Sequence, residues 1–206
     1  MQESAINEHR DTLHIICGVF LIVFVTVGVV GNTAMIIVFT RAEHLSKPIS
    51  YMVINLGIAN IIICALGYTV SAISNLQAAM DDPLRCGWSA FINATTGIAC
   101  ILTLTVTSVT HYRVITKMGV RSNPQNRINK WHIGVQMTAV WVTAIVLSIP
   151  PMFGWNRYVL VQAGVSCHPD WASQDPTDKA YIWFLVSGGF FIPLTVICFF
   201  YGMTYR

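Results

Sequence analysis

The chain has 206 residues, 54% of them apolar and 10% charged, with 12 Lys and Arg against 9 Asp and Glu for a net charge of +3. A soluble domain carries roughly 25% charged residues, so a water-facing globule is excluded. The small positive excess gives no footprint for nucleic acid, and the basic stretch 113–130 has no aromatic interleaving.

The charges fall between five apolar stretches, not periodically within them. Residues 1–13 come first as a polar tail. Glu3, Glu8 and Asp11 are the wrong chemistry for the basic start of a signal peptide, so the first stretch is expected to act as its own insertion signal. The stretches then run approximately over 14–40, 50–76, 87–111, 131–153 and 180–205. Each matches or exceeds the ~20 residues with which an α-helix crosses ~30 Å of hydrocarbon. They are too long, and too apolar on all sides, for barrel strands of ~9–11 alternating residues. An all-α membrane bundle of one domain follows.

Asn32 lies in the middle of the first stretch and Asn60 in the middle of the second. Buried amides in a membrane serve first as hydrogen-bond partners between helices. The third stretch contains no Asp, Glu, Lys or Arg, and carries hydroxyls at Thr95, Thr96, Thr103, Thr105, Thr107, Ser108 and Thr110. Asn93-Ala94-Thr95 within it matches a glycosylation acceptor by chance, since the membrane hides it. Trp141 sits mid-stretch in the fourth, a packing position, whereas Trp88, Trp131, Trp155 and Trp183 sit at stretch ends like belt residues. In the fifth, Pro193 follows Gly188-Gly189 and predicts a kink that frees a carbonyl.

Charge predicts the orientation. With the N-terminus outside, the inner side holds Arg41, Lys47, Arg113, Lys117, Arg121, Arg127, Lys130 and Arg206. The outer side holds Arg10, Arg85, Arg157 and Lys179. This satisfies the positive-inside rule. Of six cysteines, Cys17, Cys64, Cys100 and Cys198 lie within apolar stretches and read as small hydrophobes. Cys86 and Cys167 both face the oxidising side in this topology and form the one plausible disulfide, the alternative being two unrelated thiols.

Taken in order, these residues resemble the rhodopsin-like G-protein-coupled receptors, and within them the opsins. Gly31-Asn32 is similar to the helix-one pair, Asn55-Leu56-Gly57-Ile58-Ala59-Asn60 to the helix-two motif, Cys86 to the helix-three cysteine, and Trp141 to the helix-four tryptophan. Pro193 and Tyr201 fit helix five. The opsin character comes from Ile149-Pro150-Pro151-Met152-Phe153-Gly154-Trp155-Asn156-Arg157-Tyr158, followed by Cys167-His168-Pro169-Asp170. The resemblance points to a non-visual, peropsin-like branch.

The resemblance implies a light-sensing receptor in the plasma membrane, multi-pass with its N-terminus outside, that binds retinal and signals to a heterotrimeric G protein. It implies pocket residues at Ser89, Ala90, Asn93, Ala94, Gly97 and Ile98, at Tyr158, Ser166, Cys167 and His168, and at Leu185, Gly189 and Phe190. Several positions depart from the family. Thr110-His111-Tyr112 stands where the family has Asp/Glu-Arg-Tyr, and a histidine lacks the permanent guanidinium fork. Arg113 points about 200° round the helix and is a poor substitute. Asn60 replaces an aspartate. The helix-three counterion position falls on Ser89, and the loop counterion on Val161 or Gln162, none of them a carboxylate.

The last stretch ends beside Arg206, so helices six and seven are expected to be absent from this chain, and with them the lysine that holds retinal. Lys47, Lys117, Lys130 and Lys179 all lie in loops or at helix ends. Three other functions compete: a non-signalling retinal binder or photoisomerase, a chemically gated receptor for a small ligand, and a transporter or channel. The last would call for charged pairs or a repeated broken helix, and the sequence has neither. No catalytic residues and no metal ligands are expected.

Overall fold

The computed structural model describes residues 2–41, 48–77, 83–118, 130–160 and 166–205. Five helices among them are long and apolar enough to cross a membrane: Thr12–Phe39, Ile49–Leu76, Pro83–Thr116, Trp131–Ser148 and Pro176–Thr204. The first lies within α1 (Gln2–Phe39), the third within α4 (Pro83–Met118) and the fourth within α5 (Lys130–Ser148). The second span joins α2 (Pro48–Ile62) to α3 (Thr69–Leu76) through a π turn, Ile63–Tyr68. The fifth joins α6 (Pro176–Val186) to α7 (Ile192–Thr204) through another, Ser187–Phe191.

The helix ends depart from the apolar limits, for local reasons. α1 begins at Gln2, inside the polar tail, because 2–13 holds no Pro or Gly and is rich in helix formers. α4 starts with Pro83, which suits the first turn of a helix, and runs past His111 into the polar segment ending at Met118. α5 stops at Ser148, short of the predicted 153. Ile149 keeps a helical backbone and donates to the Ile145 carbonyl at 2.8 Å, but Pro150-Pro151 withholds the next two amide donors, and Pro150–Phe153 tightens into a 3₁₀ turn. α6 begins early, at Pro176, because Asp175 caps it by accepting from Thr177 N–H at 2.7 Å. The Thr177 hydroxyl, and then that N–H, hold the exposed Asp175 carboxyl below its usual range. One strand pair was not foreseen: β1 (Tyr158–Leu160) runs antiparallel to β2 (Cys167–Pro169), pairing Val159 with His168.

The third span is the hub, packed against the second, fourth and fifth. Its Ile98 and Ala99 meet Val140, Ala144 and Leu147 of the fourth and Tyr181 and Leu185 of the fifth. Ala99 and Ala144 are fully buried, small side chains that let two helices approach closely. Gly188 serves the fifth span likewise, since a Cβ there would sit 2.9 Å from Leu147. Large apolar residues of the first span, Phe20, Phe24 and Val27 among them, stay exposed, as suits a surface solvated by lipid.

Polar groups inside the bundle pair between spans. Asn60 Nδ2 donates to Asn32 Oδ1 at 3.0 Å, Asn32 Nδ2 to the Gly28 carbonyl at 2.7 Å, and the Cys100 thiol to Asn60 Oδ1 at 3.4 Å. Asn55 ties three spans together. It donates to Thr103 Oγ1 at 2.8 Å and accepts from Trp141 Nε1 at 2.9 Å. The hydroxyls of Thr96, Thr103, Thr105, Thr107 and Ser108 donate back to their own helix. Asn55→Leu orphans the Trp141 N–H and is expected to cost about 1–2 kcal/mol. The double variant with Trp141→Phe should cost less than the sum of the two single changes. Unfolding in bicelles that shows strict additivity would refute the coupling.

Pro193 is buried at the start of α7, directly after the π turn Ser187–Phe191. The Ile192 N–H reaches back to the Ser187 carbonyl, the longer step of a π turn.

Candidate ligand cavity

The segment after α5 is held by its own backbone. Gly154 takes φ +89° and Asn156 φ +66°, both left-handed. The left-handed turn lets Asn156 Oδ1 accept from Arg157 N–H at 2.6 Å and Asp170 N–H at 3.0 Å, while its Nδ2 donates to the Asp170 carbonyl at 3.2 Å. Arg157 then grips Asp170 Oδ2 with two guanidinium nitrogens, at 3.1 and 2.9 Å. Tyr158 donates to the Ser148 carbonyl at 2.6 Å, and Trp155 Nε1 to the Thr177 carbonyl at 2.9 Å. Burial, then the neighbouring Tyr181 oxygen, push the Tyr158 phenol above its ordinary range, so it stays a donor. Cys86 and Cys167 are bonded, fixing β2 across the start of α4.

Beneath this hairpin lies an apolar cavity of about 340 Å³ between the third and fifth spans. Of the residues expected there, Ala90, Asn93, Ala94, Ile98, Cys167, His168, Leu185, Gly189 and Phe190 line it. Four do not. Ser89 is buried and donates to the Gly67 carbonyl at 3.5 Å. Gly97 has open space where a Cβ would be, Tyr158 is committed to Ser148, and Ser166 is half-buried before β2. Val161 and Gln162 lie outside the described residues. Ile101, Pro169, Trp171 and Val186 line the cavity without having been foreseen. Ile101 continues the helical spacing of Ala94 and Ile98 and was legible by period. Trp171 lies in an irregular segment, where no period exists to betray it.

Two polar side chains reach this wall. The Asn93 Oδ1 is buried without a partner, pressed against Gly67 in the π turn of the second span. A Cβ at Gly67 would overlap it outright. Gly67→Ala is therefore expected to drive the amide from its seat and lower stability by about 1–3 kcal/mol. An unchanged thermal midpoint in nanodiscs would count against this packing. His168, the second, places Nδ1 2.7 Å from the Pro169 carbonyl oxygen. Neither carboxylate nor lysine lines the cavity among the described residues, and they hold no cluster fit for a metal ion.

At the other end of α4, the His111 Nδ1 is buried without a partner, beside half-buried Thr110. The Tyr112 ring lies 5.4 Å from that of Phe200 on α7. Tyr201 stacks on Tyr205 at 6.5 Å.

Residues 31–206 match the profile of the 7 transmembrane receptor (rhodopsin family). The chain belongs to this family. Among rhodopsin-family relatives, it is 30% identical over 189 residues to the G0-coupled rhodopsin of Mizuhopecten yessoensis, covering 91% of this chain and 46% of that protein. It is 33% identical over 186 residues to the GQ-coupled rhodopsin of the same species, covering 89% and 37%. The melanopsin of Phodopus sungorus is 30% identical over 201 residues, covering 95% and 41%. The crystal structure of squid rhodopsin superposes with a TM-score of 0.85 at 25% identity, covering 95% of this chain and 55% of that one. The chain thus spans about half the length, or less, of the curated relatives it matches. The opsin kinship seen in the sequence is borne out, as is the all-α rhodopsin-like bundle with five membrane-length helices.

Proposed function

We propose that the chain is the retinal-binding part of an opsin-like receptor that responds to light and signals to a heterotrimeric G protein. The cavity carries this reading. It is lined from Ala90 to Ile101 along the third span, is almost wholly apolar, and is bordered by a hairpin that a disulfide holds in place. Opsin relatives support it. The positive-inside count supports a plasma-membrane orientation with the N-terminus outside. A non-signalling retinal binder or photoisomerase is the second reading, favoured by His111 at the position where the resemblance calls for arginine.

The residues present fit a retinoid held without a covalent bond. Retinal would supply the light-absorbing polyene; Leu185, Gly189 and Phe190 would pack its apolar length, and Ala90 and Ala94 would leave it room. A covalent link needs a neutral amine at the cavity. Lys179 instead lies at the start of the fifth span, exposed, donating to Gln174 Oε1 at 2.8 Å. The purified chain in nanodiscs is expected to bind retinal and quench its tryptophan fluorescence, yet to yield no retinyl-lysine after borohydride reduction. Peptide mapping that finds a stable adduct on any lysine would overturn the non-covalent assignment. Absence of quenching would overturn retinoid binding.

A further inference from the structure

The orientation rule counts Lys and Arg on one side of the membrane. It does not require them to stand unpaired at one depth beside an exposed indole, as they do where the third span ends and the fourth begins. Asn55 bonds both Thr103 and Trp141, which holds these two at one level, close to the middle of the third and fourth spans. Consecutive spans run in opposite directions. Arg113, ten residues after Thr103, and Trp131, ten residues before Trp141, therefore come out on the same side. At 1.5 Å per residue both lie about 15 Å from that level, half of the ~30 Å hydrocarbon core.

Arg113 is exposed, and Trp131 is 78% exposed. Arg113 continues the helical stripe of Leu102 and Val106, which pack against the cluster shared by the third, fourth and fifth spans. Lys117 follows one turn later in α4, and Lys130 opens α5 next to Trp131. No Asp or Glu occurs from residue 83 to residue 169, and Arg113 makes no ion pair among the described residues. A guanidinium fork matches phosphate oxygens in pairs, and an indole settles at the depth of lipid headgroups. From Trp131 an exposed apolar stripe runs up the fourth span through Val135, Val142 and Val146. Steps of four and seven residues keep these on one face of the helix. Such a track suits acyl chains, which a soluble phosphate lacks.

We propose that the ends of the third and fourth spans at Arg113 and Trp131 bind an anionic phospholipid. Arg113 holds its phosphate, Lys117 and Lys130 add charge, and Trp131 with the valine stripe seats the chains. The site is separate from the cavity and does not depend on what fills it.

The test places the whole chain in neutral detergent micelles, adds phosphatidylinositol bisphosphate or phosphatidylcholine with the same acyl chains, and counts bound lipid by native mass spectrometry. The anionic lipid is expected to bind about tenfold or more tightly than the choline lipid, the factor that a hydrogen bond between charged groups supplies. Arg113→Gln should cut this preference about fivefold, the share of one basic residue at an anionic surface, and Lys130→Gln should act likewise. Lys179→Gln removes the same charge at the opposite side of the membrane and should leave the preference intact. If Arg113→Gln loses its helices by circular dichroism, Lys130→Gln carries the comparison. A wild-type chain without the preference, or one in which Lys179→Gln lowers it as much as the other two changes, overturns the proposal. So does soluble inositol trisphosphate that displaces the lipid at equal concentration, since the site would then be one for free phosphate.

Discussion

Cys86→Ala is expected to cost about 2–5 kcal/mol, the usual cost of losing a native disulfide. The bond closes a loop of 81 residues, so the unfolded chain gains considerable freedom when it is removed. The folded state suffers too. Both sulfurs are buried against Ala90, with Val70 and Tyr158 packed round them, and β2 carries His168 into the cavity wall. Without the bond, the hairpin keeps the Arg157–Asp170 pair and the Asn156 bridges, but loses its tie to α4. The variant should be retained inside the cell and should bind retinoid weakly. Non-reducing peptide mapping that finds both thiols free in well-folded wild-type protein would refute the assignment.

Receptors carrying residues 1–206 are expected to activate G protein feebly, and His111→Arg should raise that activity about tenfold or more, since a hydrogen bond to a charged group contributes roughly 1.5–3 kcal/mol. The geometry supports the direction. The His111 Nδ1 is buried without a hydrogen-bond partner among the described residues, so the imidazole makes no held polar contact at this end of α4 through that nitrogen. An arginine there carries a permanent charge on a stem long enough to leave the bundle. Light-dependent nucleotide exchange on a reconstituted heterotrimer measures it. Strong exchange in the unmodified protein, not improved by the substitution, would show that coupling does not run through this position.

Much of this fold was legible because lipid imposes a coarse rule on composition: a span must be long and apolar, and its charges must sit outside it. The rule fixes that a helix exists, not where it ends. Gln2–Thr12 joins α1 because polar helix formers continue a helix as readily as apolar ones, and the stop at Ser148 comes from proline, which hydropathy averages away. Strands of three residues leave too short a pattern for β1 and β2 to be seen. The cavity was read best along the third span, where Ala90, Ala94 and Ile98 repeat with helical spacing. It was read worst where hydrogen bonds redirected side chains. Tyr158 left the cavity for the Ser148 carbonyl and Ser89 for that of Gly67. Asn55 was visible as part of a motif, but its role as the joint between Thr103 and Trp141 depends on three helices meeting at one level.

The π turns at Ile63–Tyr68 and Ser187–Phe191 each place one surplus residue in a helix that advances about 100° per residue. The halves of the second and fifth spans are thereby out of phase, and no single helical wheel describes either. A polar substitution scan drawn on one wheel through 176–204 would aim half its probes at the wrong face. The same surplus makes each turn the place where a span can lose one residue and still keep both flanking segments pointing as before. Shortening the chain by one residue within 187–191 should be tolerated far better than the same deletion one turn away within 192–204, which would rotate everything beyond it off its partners.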